Sequence, residues 1–177
     1  MRISAPFQEF LLERMQIASI RKNDYLVQEG TLASRLYFIS TGLLRLYSID
    51  NGEEVIFALV KEREVIVSPS SFFHRIPSKE SLQAVEDSEV VSISQSDLEF
   101  CYNKFPESNI IAREILTKTL AESEKRMALL KIKDATTRYR TMIQLFPELV
   151  QRVPVMYLAS YLGIRMETLS RIRGRIH

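Results

Sequence analysis

From Pro106 to Lys133 the sequence offers no glycine and no second proline: "PESNIIAREILTKTLAESEKRMALLKIK". A chain that keeps a 28-residue stretch free of breakers is committed there to one long helix, with Pro106 suited to its first turn. A stripe runs along it through Arg113, Leu116, Leu120, Ser123, Met127 and Leu130, with spacings of 3, 4, 3, 4 and 3. That is a heptad seam over about two and a half heptads. A second stripe, Ile110, Ile111 and Ile115, faces elsewhere. Two apolar faces need two partners: the rest of the chain for one, and the same helix of a second subunit for the other. The alternative is that both faces are buried within one chain.

The helix divides the chain into unlike halves. Before it, "DYLVQEG", "RLYFISTGLLRLYSI", "EEVIFALV", "EVIVS" and "LQAVEDSEVVSI" are short and rich in β-branched and aromatic residues, with Glu29-Gly30, Thr41-Gly42, Asp50-Asn51-Gly52 and Glu86-Asp87-Ser88 marking turns. Asn51-Gly52 between two apolar runs is a hairpin signal. Closely spaced short strands predict a sandwich or barrel, and the glycine inside "FISTGLLRLY" suits a strand turning a corner. After the helix the composition becomes basic. Residues 134–177 hold seven arginines against Asp134, Glu148 and Glu167, a net +4, whereas the remainder carries 17 basic and 19 acidic residues, a net −2. A basic end on a mildly acidic body points to an anionic partner for the end alone.

Two function classes have little support in the sequence. No apolar run approaches the roughly 18 residues a membrane span needs, and the N-terminal stretch mixes glutamate and arginine into its apolar residues, unlike a secretory signal. A cytoplasmic protein is expected, with no membrane partner. A single cysteine, Cys101, and two histidines, His74 and His177, leave no plausible metal site, and no nucleophile–base pair or other catalytic constellation is visible. Paired acids such as Glu53-Glu54 and Glu86-Asp87 sit at turns.

The ending, "VPVMYLASYLGIRMETLSRIRGRIH", carries the sharpest pattern. Asp134 offers an N-cap for a helix over "ATTRYRTMIQLF", which Pro147 follows, and Pro154 fits position N1 of the next helix. Ala159, Gly163, Leu169 and Ile172 have the spacing of a helix-turn-helix: a small residue under the crossing helix, a glycine for the turn, then apolar residues for the shared core. Leu158, Leu162 and Ile164 complete that core. The second helix, from about Arg165 to Ile176, would present Arg165, Met166, Glu167, Ser170, Arg171 and Gly174 outward, a face that fits the DNA major groove. An ordinary helical hairpin is the alternative.

These features together resemble the Crp/Fnr family of bacterial transcription regulators over nearly the whole chain. "QEG" (Gln28 to Gly30), "FISTGLLRLY" (Phe38 to Tyr47), "QAVEDSEV" (Gln83 to Val90) and "ETLSRI" (Glu167 to Ile172) carry the resemblance. It implies an α+β fold in three parts: a cyclic-nucleotide-binding-like β-roll (jelly roll) with flanking helices over 1–105, a dimerisation helix over 106–133 and a helix-turn-helix DNA-binding domain over 134–177. It also implies a homodimer bound to double-stranded DNA, with RNA polymerase as a further partner. Leu116, Leu120, Ser123, Met127 and Leu130 would form the dimer seam. Glu167 matches a glutamate accepting from a base amine, and Arg171 an arginine reaching guanine. Thr168 and Ser170 suit phosphate or methyl contacts, while Arg165, Arg173 and Arg175 suit phosphates. Met166 stands where some relatives read a base with arginine, and Arg165 where many have a capping serine or threonine. Few residues follow the second helix and "FPELVQRVP" is short, so a full wing is not expected.

The signal-receiving end departs from the resemblance. Cyclic-nucleotide binders carry Gly-Glu-Leu and, about ten residues on, Arg-Ser/Thr-Ala; here Val67 and Ser68 stand at the first pair, and Ser78, Lys79 and Glu80 at the second step. Ser68, Arg75, Ser78, Lys79 and Ser123 are the remaining candidates for an effector pocket, and a cyclic nucleotide is not the expected effector. An iron–sulfur centre would need several cysteines, and haem would need His74 as a ligand; no cofactor is expected. A second functional reading is a small-ligand sensor of the same fold that acts through protein partners rather than DNA.

Overall fold

The structure is a computed structural model that describes residues 3–176. The outermost positions of the expected first and third segments, residues 1, 2 and 177 (His177 among them), lie outside the described residues. Eight strands, β1 (Gln16–Ile20), β2 (Tyr25–Val27), β3 (Arg35–Thr41), β4 (Leu44–Asp50), β5 (Glu53–Val60), β6 (Val65–Ile66), β7 (Ser81–Ala84) and β8 (Ser88–Ser94), form two four-stranded antiparallel sheets. Their orders are β1-β8-β3-β6 and β2-β7-β4-β5. The facing sides bury Tyr37, Ile39, Leu44, Leu46, Leu82 and Val90 in one core, the period-2 face that the alternation in "RLYFISTGLLRLYSI" supplies.

Gly42 is the corner expected from the sequence. β3 and β4 flank it, and they belong to different sheets. Its φ is +99°, and a Cβ placed there would lie 2.7 Å from the Ser88 Cα, so neither conformation nor space admits a side chain. The β4–β5 hairpin turns on Asn51 (φ 51°) and Gly52 (φ 84°), with Asp50 paired to Glu53. Two consecutive positive φ values make the primed turn that matches strand twist.

Three helices flank the roll: α1 (Ala5–Arg14), α2 (Pro69–His74) and α3 (Gln95–Lys104). α1 and α3 share a small core around Phe7, Ile93 and Cys101. The breaker-free stretch is α4 (Pro106–Leu130), 25 residues starting at Pro106, or roughly 37 Å of helix at 1.5 Å per residue. Ile111 packs into the α1–α3 core, and Ile115 faces the roll beside Val60 and Val65. Ile110 does not join them: it is exposed, because a helix turns 100° per residue and cannot bury both members of an adjacent pair against so narrow a body.

Beyond α4 lie α5 (Ala135–Leu145), α6 (Pro147–Arg152), α7 (Val155–Leu162) and α8 (Met166–Ile176). Asp134 caps α5, accepting from the Thr137 amide at 2.7 Å. The segment too short for a full wing is the six-residue helix α6, opened by Pro147. Pro154 sits one place earlier than expected: it is the N-cap of α7, with ψ 143°, and its carbonyl accepts from the Leu158 amide. α7 packs against β5 on the outer face of the β4–β5 sheet and α5, α6 and α8 gather around it, so that Leu43, Tyr47, Ile56 and Leu59 share one core with Leu129, Tyr139, Leu158 and Leu162.

Candidate DNA interface, seam and sensor site

α7 ends where Gly163 takes φ 62° and ψ 40°. In that left-handed turn the Gly163 amide donates to Ser160 O and the Ile164 amide to Ala159 O, both at 3.0 Å, which satisfies carbonyls a straight helix end would leave open. Ala159, Leu158, Leu162, Leu169 and Ile172 are buried together. With the apolar side of α8 fixed, the other side is forced outward: Arg165, Met166, Glu167, Ser170, Arg171, Gly174 and Arg175 are exposed, and Thr168 and Arg173 half-buried. Glu167 lies in the first turn and Arg173 and Arg175 in the last, the arrangement the helix dipole favours. Arg165 precedes the helix as its N-cap, its carbonyl accepting from Leu169, and its side chain has no acceptor with which to cap.

The basic excess of this end is only partly outward. Arg138 donates to Ile132 O and to Leu162 O (2.7 Å), tying the start of α5 to the end of α7. Arg152 turns back to the roll and forks onto Glu62, at 2.8 and 3.0 Å, while also meeting Glu86. Arg152 holds the Glu62 carboxyl down at about 2. Two of the seven arginines are therefore internal fasteners, which a charge count does not distinguish from groups waiting for phosphate.

On α4 the heptad positions Leu116, Leu120, Met127 and Leu130 are 63%, 60%, 54% and 38% exposed, and Ser123 is exposed among them. The structure thus brings the five expected seam residues onto one open apolar stripe, opposite the side that carries the buried Leu129.

The five expected effector-pocket residues do not converge. Ser68 and Ser78 are buried together, their hydroxyls 2.7 Å apart. Arg75 is exposed, bonded to Gln95 and near Glu99; Lys79 is exposed; Ser123 is on α4. The group that does join Ser68 and Ser78 is Glu80: its carboxylate accepts from Ser68 at 2.8 Å, from Ser78 at 3.3 Å and from Ser70 at 3.4 Å. A cyclic phosphate does not fit this arrangement. The hydroxyls that could donate to it already serve a carboxylate of the chain, and two anions within hydrogen-bond reach repel.

Sequence reasoning passed over the contact between reader and roll. Arg45, 3% exposed, donates to Glu54 and Gln83 and is stacked between the rings of Tyr47 (4.0 Å) and Tyr157 (3.8 Å). The Tyr47 hydroxyl is pushed up to about 12 by burial and by its hydrogen bond with Tyr25. Nearby, the Ser160 hydroxyl donates to Glu54 O (2.6 Å) and accepts from the Ile56 amide (3.1 Å). Arg126 donates to Ile56 O and stacks on Tyr161, 4.2 Å away. The available signal was Arg45 itself, a lone charge inside the apolar run "GLLRLY". Among the described residues no cluster of His, Cys, Asp or Glu could hold a metal ion, and no helix is long and apolar enough to cross a membrane.

The cyclic nucleotide-binding domain profile matches residues 17–105, half of the chain. No curated protein matches the sequence. Among solved structures, FixK2 from Bradyrhizobium japonicum is 22% identical, with 92% of this chain and 84% of that one covered at a TM-score of 0.74. The c-di-GMP responsive global regulator CLP of Xanthomonas campestris is 20% identical, with 98% and 91% covered at 0.76. A transcriptional regulator of the CRP/FNR family from Thermus thermophilus is 18% identical, with 91% and 85% covered at 0.70. The fold is thus one found in Crp/Fnr transcription regulators.

Proposed function

We propose, from the premise that this chain belongs to the cyclic nucleotide-binding domain family, that it is a sequence-specific DNA-binding transcription regulator working as a homodimer. The observation that carries this reading is the outer face of α8. A helix clamped by a buried core exposes Glu167 and Arg171 one turn apart, with Arg165 and Arg175 at its ends. In the major groove Glu167 would accept from a base amine such as cytosine N4, and Arg171 would fork onto guanine O6 and N7. Met166 offers only an apolar contact, Thr168 and Ser170 short polar ones, and Arg165, Arg173 and Arg175 phosphate contacts that set register. The seam of α4 supplies the second copy, since Leu116, Leu120, Met127 and Leu130 expose apolar area that a paired helix would bury. Two copies would place two reading helices on a near-palindromic site. The Glu80–serine arrangement supports an effector other than a cyclic nucleotide, or none.

Selection of DNA fragments by the purified protein, followed by sequencing, tests the reading. The expected result is a near-palindromic motif whose affinity falls steeply with salt. Selected fragments with no shared motif, or binding that ignores salt, would place the protein with sensors that act through protein partners.

A further inference from the structure

Between β5, the β5–β6 loop, α4 and α7 lies a cavity of about 180 Å³. Its walls mix Phe57, Val60 and Ile115 with three cations, Arg63, Lys118 and Arg126. Among the described residues none of the three has a carboxylate oxygen within 4.0 Å. Of the two acids of the lining, Glu122 pairs with Lys125 at 2.8 Å, and Glu64 accepts from the Lys61 amide at 3.2 Å and is attracted by Lys118, which leaves Arg126 without an acid partner among the described residues. Arg126 is the deepest of the cations, and its Nε is buried with no hydrogen-bond partner among the described residues. Burial accordingly lowers its hold on its proton, while Tyr161 acts the other way. A buried guanidinium with an unused donor is costly unless an anion meets it.

From this geometry we infer that the cavity is a binding site for a small organic anion, a carboxylate with a compact apolar body, held by Arg126. The size sets the body: 180 Å³ is on the scale of the ~150 Å³ pocket that accepts a benzene ring, too small for a nucleotide. The charge sets the head group, because the planar fork of Arg126 matches a carboxylate, while Lys118 adds an attraction that it shares with Glu64. Phe57, Val60 and Ile115 exclude a head group without a body. Bound there, the anion would touch the same guanidinium that holds Ile56 O and stacks on Tyr161, so occupancy would be felt at α7. The site is independent of base reading by α8, and its test involves no DNA.

Calorimetry on the full chain, with benzoate and hexanoate as probes, decides the matter. Both acids should bind saturably with a Kd of about 1 mM or tighter, and acetate (charge without body) and benzyl alcohol (body without charge) at least about tenfold more weakly. Arg126→Met should weaken benzoate about tenfold or more. Thr119→Trp, which fills the mouth from an exposed helix position, should do the same with all three cations intact, and it carries the test if Arg126→Met fails to fold. No saturable binding of either acid up to about 10 mM, equal binding of benzoate and benzyl alcohol, or benzoate affinity unchanged by Thr119→Trp would each overturn the assignment.

Discussion

α7 and α8 are consecutive helices of one motif, and they face opposite tasks. α7 is bound on nearly every side: Leu158 and Leu162 are fully buried, Tyr157 stacks on Arg45, Ser160 clips onto β5 and Tyr161 packs under Arg126. α8 contributes Leu169 and Ile172 to the same core, with Ile176 packed at its margin, and leaves its opposite face to solvent. The difference teaches how such a reader is aimed. In the proposed function, orientation would be set by α7, because its contacts reach across to the roll. Specificity would sit on α8, whose exposed side chains can change with little effect on the core.

Removing the shared core should erase the contrast altogether. Leu162→Ala deletes a fully buried side chain between the two helices, and a loss of about 2–5 kcal/mol is expected in urea unfolding. A smaller loss confined to α7 would mean that the helices fold separately. Arg171→Ala should sharpen it. The variant should lose about 1–3 kcal/mol on its selected site and relax one base position, with stability unchanged within about 0.5 kcal/mol. Equal weakening on all sequences would show Arg171 to be a phosphate contact. Tyr157→Ala works from the α7 side, removing one face of the Arg45 stack at a cost of about 1–2 kcal/mol. It should also increase protease nicking between α4 and α7 while leaving base preference intact.

The smallest effect is expected from acid. Arg152 holds Glu62 at about 2, below its ordinary 4.5, so the latch between α6 and the roll is complete above pH 4.5 and is lost as pH falls towards 2. The gap in urea midpoint between the native chain and Arg152→Met should therefore narrow over that window. A gap that stays constant would remove Glu62 from the latch.

Local patterns made much of this legible before any coordinates. The Asn51-Gly52 hairpin, the corner at Gly42, the breaker-free α4 and the Ala159–Gly163 turn are each decided by a few neighbouring residues, and each stands where the pattern put it. Partnerships between distant residues were not legible. Arg138 and Arg152 counted as surplus charge until Leu162 O and Glu62 came within reach. Arg75 and Lys79 read as pocket candidates because they are cations in the stretch that matches the phosphate cassette, yet both are exposed. Glu80 was read as a group that would hinder a phosphate; that it lies among three serines is a fact of side-chain placement.

The Ser160 clip has one more consequence. β5 is the last strand of its sheet, and an uncovered last strand is a row of open donors and acceptors on which another chain can add itself. Ser160 takes up Glu54 O and the Ile56 amide, and Arg126 takes up Ile56 O. The C-terminal helices, through Ser160, and α4, through Arg126, therefore also shield the roll from edge-to-edge self-association. A truncation that keeps the roll and α4 but lacks residues 134–177 would uncover Glu54 O and the Ile56 amide on that edge, so cutting this protein into its apparent modules favours aggregation over two well-behaved halves.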